Sequence, residues 1–256
     1  MTTPAVDRNG YIVTGAGLLA ALAILCFSFL SHIGHTLVIL VHEMGHAIVG
    51  WLFGYPSLPA FDFTYGGGVT VHQGRVTFVT VLVFVGFAAL GWMWRRNRLA
   101  LGVLGAVAAL YTVAAFTAIH DVIILFMGHG TELVIAAIFL FRSFTGRCIV
   151  NPLERPLYAT LGWFIVLADI RFAWRLMTSP AARSMYESAK GGGHWMDFSR
   201  IAERHLGVPL EAVAGFFLLC CLVTPVAAWL ASVYQDPAEQ VLLRIADRND
   251  TGRAAA

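Results

Sequence analysis

The chain has 256 residues, 58% of them hydrophobic and only 12% charged, with a formal net charge of +2 at pH 7 and a mean hydropathy of +0.73. A soluble domain carries about 25% charged residues, so this composition excludes an ordinary soluble fold, and so small a net charge gives no reason to expect a nucleic-acid partner. Several apolar runs reach the roughly 20 residues needed to cross a bilayer, which predicts an all-α polytopic membrane protein with the lipid bilayer as its surroundings.

The first ten residues carry one Asp and one Arg, and the apolar run behind them is longer than a signal-peptide core, so Tyr11–Leu30 is read as a retained first span. The second span is roughly Thr36–Phe53, and Ser31–His35 between them is a turn or a helical continuation. If the helix is continuous, His32, His35, His42 and His46 share one face, because offsets of 3, 10 and 14 lie near whole turns. His32 and His35 are read as hydrogen-bonded groups near the membrane surface. Two β-like runs then flank Gly66-Gly67-Gly68, which predicts a short hairpin, serving as a plain connector or as an edge for an extended peptide. The third span, roughly Val76–Trp94, stops at Arg95-Arg96-Asn97-Arg98, and the fourth runs from Leu99 to about Ile119. Asp121 is expected to N-cap a fifth span over Val122–Phe144. The sixth is roughly Leu157–Met177 and the seventh roughly Val208–Val233. Between these last two, Ser179–Gly207 is the one long polar stretch. Its Trp195, Phe198, Ile201, Ala202 and Leu206 recur at helical spacing, which predicts a helix lying on the membrane surface, and Gly191-Gly192-Gly193 would hinge it as a lid. The expected organisation is one membrane domain over 1–256: six or seven transmembrane helices, a short hairpin after the second, a metal-site core at about 31–145, a lid-like loop at 179–207 and a charged, solvated tail at 235–256. Cys26, Cys148, Cys220 and Cys221 form no C-x-x-C and are read as small core residues.

The second span carries the chemistry. Its His42-Glu43-Met44-Gly45-His46 is an H-E-x-x-H run. Residues four apart on a helix share a face, so His42 and His46 can present two imidazole nitrogens to one metal ion, with Glu43 placed to deprotonate a water held there. A catalytic zinc takes three protein ligands, and the third is sought in the fifth span. Counting 1.5 Å per residue from the helix ends on one side of the membrane, His46 lies about 10 Å in, His129 about 10 Å and Glu132 about 15 Å. His42, His46, His129 and Glu132 therefore fall in one layer. One of His129 and Glu132 would bind the metal while the other orients a ligand. His120 and Asp121 are the next candidates. Asp169, Arg171 and Arg175 are read as a structural pairing, and His72, His194 and His205 as solvated loop residues.

At His42-Glu43-Met44-Gly45-His46, followed by a Gly-rich β-like stretch, the chain resembles the site-2 protease-like intramembrane zinc metallopeptidases, in particular their short bacterial branch without a PDZ domain. The resemblance covers about Leu37–Gly74. It implies zinc as cofactor, His42 and His46 as ligands, Glu43 as general base, and a membrane protein or peptide as substrate, held as an added strand along Phe61–Val71. The expected location is the bacterial inner membrane. The family takes its third ligand from an aspartate in an Asp-Gly pair. This chain has no Asp-Gly, so His129 and Glu132 stand in by geometry alone. Two other functions use His/Glu pairs inside membrane helices: a divalent-metal transporter, and a dinuclear iron oxidase drawing on Glu43, His46, His129 and Glu132.

Overall fold

The computed structural model describes residue 6 and residues 8–62, 67–188 and 196–254, with side chains through Gln235. The fold is all-α and polytopic, with one small hairpin. Helices α1 (Arg8–Cys26) and α2 (Ser28–Leu52) precede strands β1 (Ser57–Phe61) and β2 (Gly68–His72). Helices α3 (Thr77–Met93), α4 (Arg98–Ala115), α5 (Ile119–Thr145), α6 (Glu154–Thr178) and α7 (Pro180–Ser188) follow. A short inward-packed helix α8 (Asp197–Ser199) widens into a π-helical turn over Arg200–Leu206, and α9 (Leu210–Ala254) ends the chain. Six of these helices are long and apolar enough to cross a membrane, α9 over Leu210–Gln235. Helix α3, at 17 residues, spans about 26 Å, slightly less than the roughly 30 Å of a hydrocarbon core. Large apolar side chains such as Leu19, Leu82, Val103, Leu110 and Phe216 are exposed on the outer faces, as they are when lipid is the solvent. The protein is a multi-pass membrane protein.

Helix α5 is central. It packs on α2, α6 and α9, and also meets α1 and α4. Carbonyls near its C-terminus are met by a side chain, as backbone buried from water must be. At its C-terminus Arg155 of α6 donates from Nε to the Ser143 carbonyl at 2.7 Å and from a terminal nitrogen to the Phe144 carbonyl at 2.9 Å. Inside the bundle the hydroxyls of Thr14 and Ser143 lie 2.7 Å apart and tie α1 to α5. The Trp163 indole donates to the Thr14 carbonyl at 3.1 Å and ties α6 to α1.

Helix α2 runs without a break from Ser28, so the four histidines at positions 32, 35, 42 and 46 lie on one helix. Helix α5 begins at Ile119 with Ala118 as its N-cap, one turn earlier than expected; Asp121 lies inside the first turn and caps nothing. The strands pair antiparallel, Ser57 opposite His72 and Phe61 opposite Gly68. The segment after α7 departs most from expectation. Phe198, Ile201 and Ala202 are buried in the core with Phe217, Leu125 and Tyr186 instead of lying in the membrane interface, because their apolar face finds α5 and α9 to pack on. Trp195 and the Gly191–Gly193 hinge lie outside the described residues. The backbone of the tail continues α9 without a break as far as Ala254. Of the cysteines, Cys221 is buried, while Cys26 and Cys148 are exposed.

Replacing Thr14 with Val removes the α1–α5 hydroxyl pair without changing shape. Interhelical hydrogen bonds in membrane proteins average about 0.6 kcal/mol and reach about 1.7, so unfolding in detergent should show a loss within that span.

Candidate metal centre

The H-E-x-x-H helix meets the middle of α5, and the two are held close by an absence. A Cβ at Gly128 would stand 2.4 Å from His46 Nε2 and 2.6 Å from His42 Nε2, so only glycine leaves room for both imidazoles. The next turn of α5 brings Glu132, 2% exposed. Its Oε1 lies 2.8 Å from His42 Nδ1 and its Oε2 3.0 Å from His129 Nδ1. Asp169 of α6 is buried, and its Oδ2 has no hydrogen-bond partner among the described residues; it does not form the ion pair with Arg171 or Arg175 that the sequence suggested.

All four residues expected to converge do so: the His42 ring lies 4.6 Å from the His46 ring and 4.4 Å from the His129 ring, centroid to centroid. Their roles are set by which nitrogen faces what. His46 Nδ1 lies 2.7 Å from the Ile124 carbonyl, which can only accept, so this nitrogen carries the proton. His42 Nδ1 likewise donates to the Glu132 carboxylate. In the neutral rings both Nε2 atoms are then lone pairs, and they face each other at 3.0 Å. A third acceptor meets them. Asp197 Oδ2 stands 3.2 Å from His42 Nε2 and 3.1 Å from His46 Nε2.

Two sets of side chains could hold a cation: His42 with His46 and Asp197, and His42 with His129 and Glu132. In the second set every contact already joins an N–H to a carboxylate oxygen, and nothing is left over. In the first, with both rings neutral, His42 Nε2, His46 Nε2 and Asp197 Oδ2 converge as three acceptor atoms. Asp197 was not among the residues read from sequence, and it lies outside the expected site core at 31–145. It is followed by Phe198, so no Asp-Gly marked it. The one hint was its place at the head of the Phe198–Ile201–Ala202 apolar face.

Glu43 is 7% exposed and leans on the hairpin. Thr70 donates its hydroxyl to Glu43 Oε2 at 2.6 Å, and the same hydroxyl lies 3.0 Å from the Glu43 carbonyl. Gly68 leaves room for the carboxylate, since a Cβ there would meet Oε1 at 2.3 Å. These groups line one cavity of about 540 Å³, with β2 on one wall and His35, Asp169, Phe172, Tyr186 and Arg200 on others, within the size range of ligand sites. His35 therefore belongs to the cavity, not to the surface alone. His72 lines it too, with Nδ1 2.7 Å from Ser57 Oγ; burial lowers its pKa. His120 and Asp121 do not line it; His120 bonds instead to the Tyr55 hydroxyl at 2.9 Å. His194 lies outside the described residues.

No known family model, curated protein or solved structure matches this chain.

Gly128→Ala should force both imidazoles aside and lower stability by about 1–3 kcal/mol. Gly130→Ala is the control, because its nearest neighbour is the flexible Met127 thioether at 2.8 Å. Thermal unfolding of the two variants in detergent should separate them, with Gly128→Ala the lower.

Proposed function

We propose that this protein is a membrane-embedded zinc metallopeptidase of the site-2 protease-like type, cleaving a peptide bond in a membrane protein or membrane-bound peptide. The observation that carries this reading is the convergence of His42 Nε2, His46 Nε2 and Asp197 Oδ2 at 3.0–3.2 Å, with both Nδ1 protons committed elsewhere. With both rings neutral, three mutually facing acceptors repel unless a proton or a metal cation lies between them. Ligand atoms on a tetrahedral ion with bonds of 2.0–2.1 Å stand about 3.3 Å apart, close to these separations. Two imidazoles and one carboxylate also suit the His₂-carboxylate donor set of zinc hydrolases.

When bound there, zinc polarises a scissile carbonyl and brings the pKa of a water toward 7. The remaining roles fall to the chain. Glu43, fixed by Thr70 and not among the three converging atoms, accepts the proton of the attacking water and returns it to the amine as the C–N bond breaks. Glu132 holds His42 in the tautomer that leaves Nε2 free, and the Ile124 carbonyl does the same for His46. His129 is a second donor to Glu132 rather than a ligand. Strand β2 lines the cavity beside Glu43, where an extended substrate segment could lie along it. On this reading the bacterial inner membrane is the expected location.

Purified protein should hold one zinc per chain by metal analysis. Asp197→Ala and His46→Ala should remove it. Glu132→Gln should weaken it by about 10–100-fold, the usual effect of losing such an orienting partner. Glu43→Gln should keep the zinc and abolish cleavage of membrane-protein substrates. Two irons per chain, or a weakly held ion that crosses proteoliposome membranes, would instead favour an oxidase or a transporter.

A further inference from the structure

Arg200 is the one side chain of fixed positive charge lining the cavity among the described residues. It is half-buried and lies three residues beyond Asp197, on the same inward-packed segment. Its backbone N–H bonds to the Met196 carbonyl at 3.0 Å, and the neighbouring Phe198, Ile201 and Ala202 are anchored in the core. The backbone that carries Arg200 is therefore held in place. Its guanidinium, however, makes no ion pair or side-chain hydrogen bond among the described residues. Of the two acids three residues away, Asp197 lies against His42 and His46, and Glu203 is exposed and forms no ion pair with Arg200 among the described residues. Of the other lining carboxylates, Glu43 is engaged by Thr70 and Glu132 by two histidines, while Asp169, buried on α6, forms no ion pair with Arg200 among the described residues. Burial, with the charge of Arg200 among the lesser causes, lowers the pKa of His72, which also lines the cavity.

An uncompensated guanidinium is costly in a largely apolar setting unless water or an anion reaches it. Its planar fork matches a carboxylate bidentately. We propose that Arg200 determines substrate specificity by taking a carboxylate of the peptide, so that the substrate carries a Glu or Asp side chain, or its C-terminal carboxylate, close to the bond that is cut. This deepens the peptidase reading and rests on it.

The test uses the full chain bearing Glu43→Gln, zinc-loaded, in a neutral detergent, with three labelled hydrophobic peptides. One has an internal Glu and an amidated C-terminus. The second has Gln at that place and a free C-terminal carboxylate. The third has Gln and an amidated C-terminus. Fluorescence anisotropy should show one of the first two binding at least about ten-fold tighter than the third, the scale of a charge-assisted hydrogen bond. Which one it is distinguishes a side-chain from a terminal carboxylate. Adding R200Q should bring the ratio close to one with zinc content unchanged, while R200K, keeping the charge but not the fork, should retain part of it. Equal affinities for all three peptides, no binding, or a preference that survives R200Q overturns the assignment. Turnover is read separately on the protein with Glu43 intact: no cleavage, with the Arg200-dependent preference present, counts against the peptidase reading alone.

Discussion

A carboxylate buried at mid-helix in an apolar bundle has to be paired, and the pairing of Glu132 with His42 and His129 constrains much of what surrounds it. Removing a charge from water costs several kcal/mol unless hydrogen bonds replace the lost hydration. By accepting from His42 Nδ1, Glu132 fixes the ring's tautomer and turns its Nε2 toward His46. That arrangement requires α2 and α5 to approach until no side chain fits at position 128. It also requires His46 to be turned the same way, which the Ile124 carbonyl does. The site is therefore a property of the α2–α5 contact before any third element arrives.

The third element is the short segment from Asp197 to Leu206. Its burial is apolar in origin: Phe198 lies among Phe126, His129, Phe172 and Phe217, and Tyr186 accepts the Phe198 backbone N–H at 3.3 Å. Aromatic packing thus carries a carboxylate into contact with the two imidazoles, and the same segment brings Arg200 to the cavity. On the other wall, the hairpin fixes Glu43 through Thr70. The cavity is thus bounded by a hairpin on one side and a polar helix face on the other, which on the proposed peptidase reading would admit water and an extended substrate to an apolar interior.

Much of this was legible in the residues. The apolar runs mark the helices because lipid demands about 20 apolar residues of each. The i, i+4 spacing places His42 and His46 on one face because helix geometry leaves no alternative. The depth of His129 and Glu132 follows from counting residues along two spans, and the structure sets them against His42. The pairing of β1 with β2 was likewise readable as a local pattern.

Other features are not local. Whether Glu132 binds an ion or orients a histidine depends on which nitrogen of His42 it meets, and that is set by the rotation and separation of two packed helices. Asp197 meets His42 across 155 positions of sequence; in a polar stretch it looks like any solvated acid. Hydropathy registered Phe198, Ile201 and Ala202 as an apolar face without saying whether lipid or protein would cover it. The sequence by itself determined the spans, the motif and its depth, since these depend on residue spacing and solvent preference alone. The third acceptor, the tautomers and the place of Arg200 were decided only when the tertiary structure brought distant segments to one point.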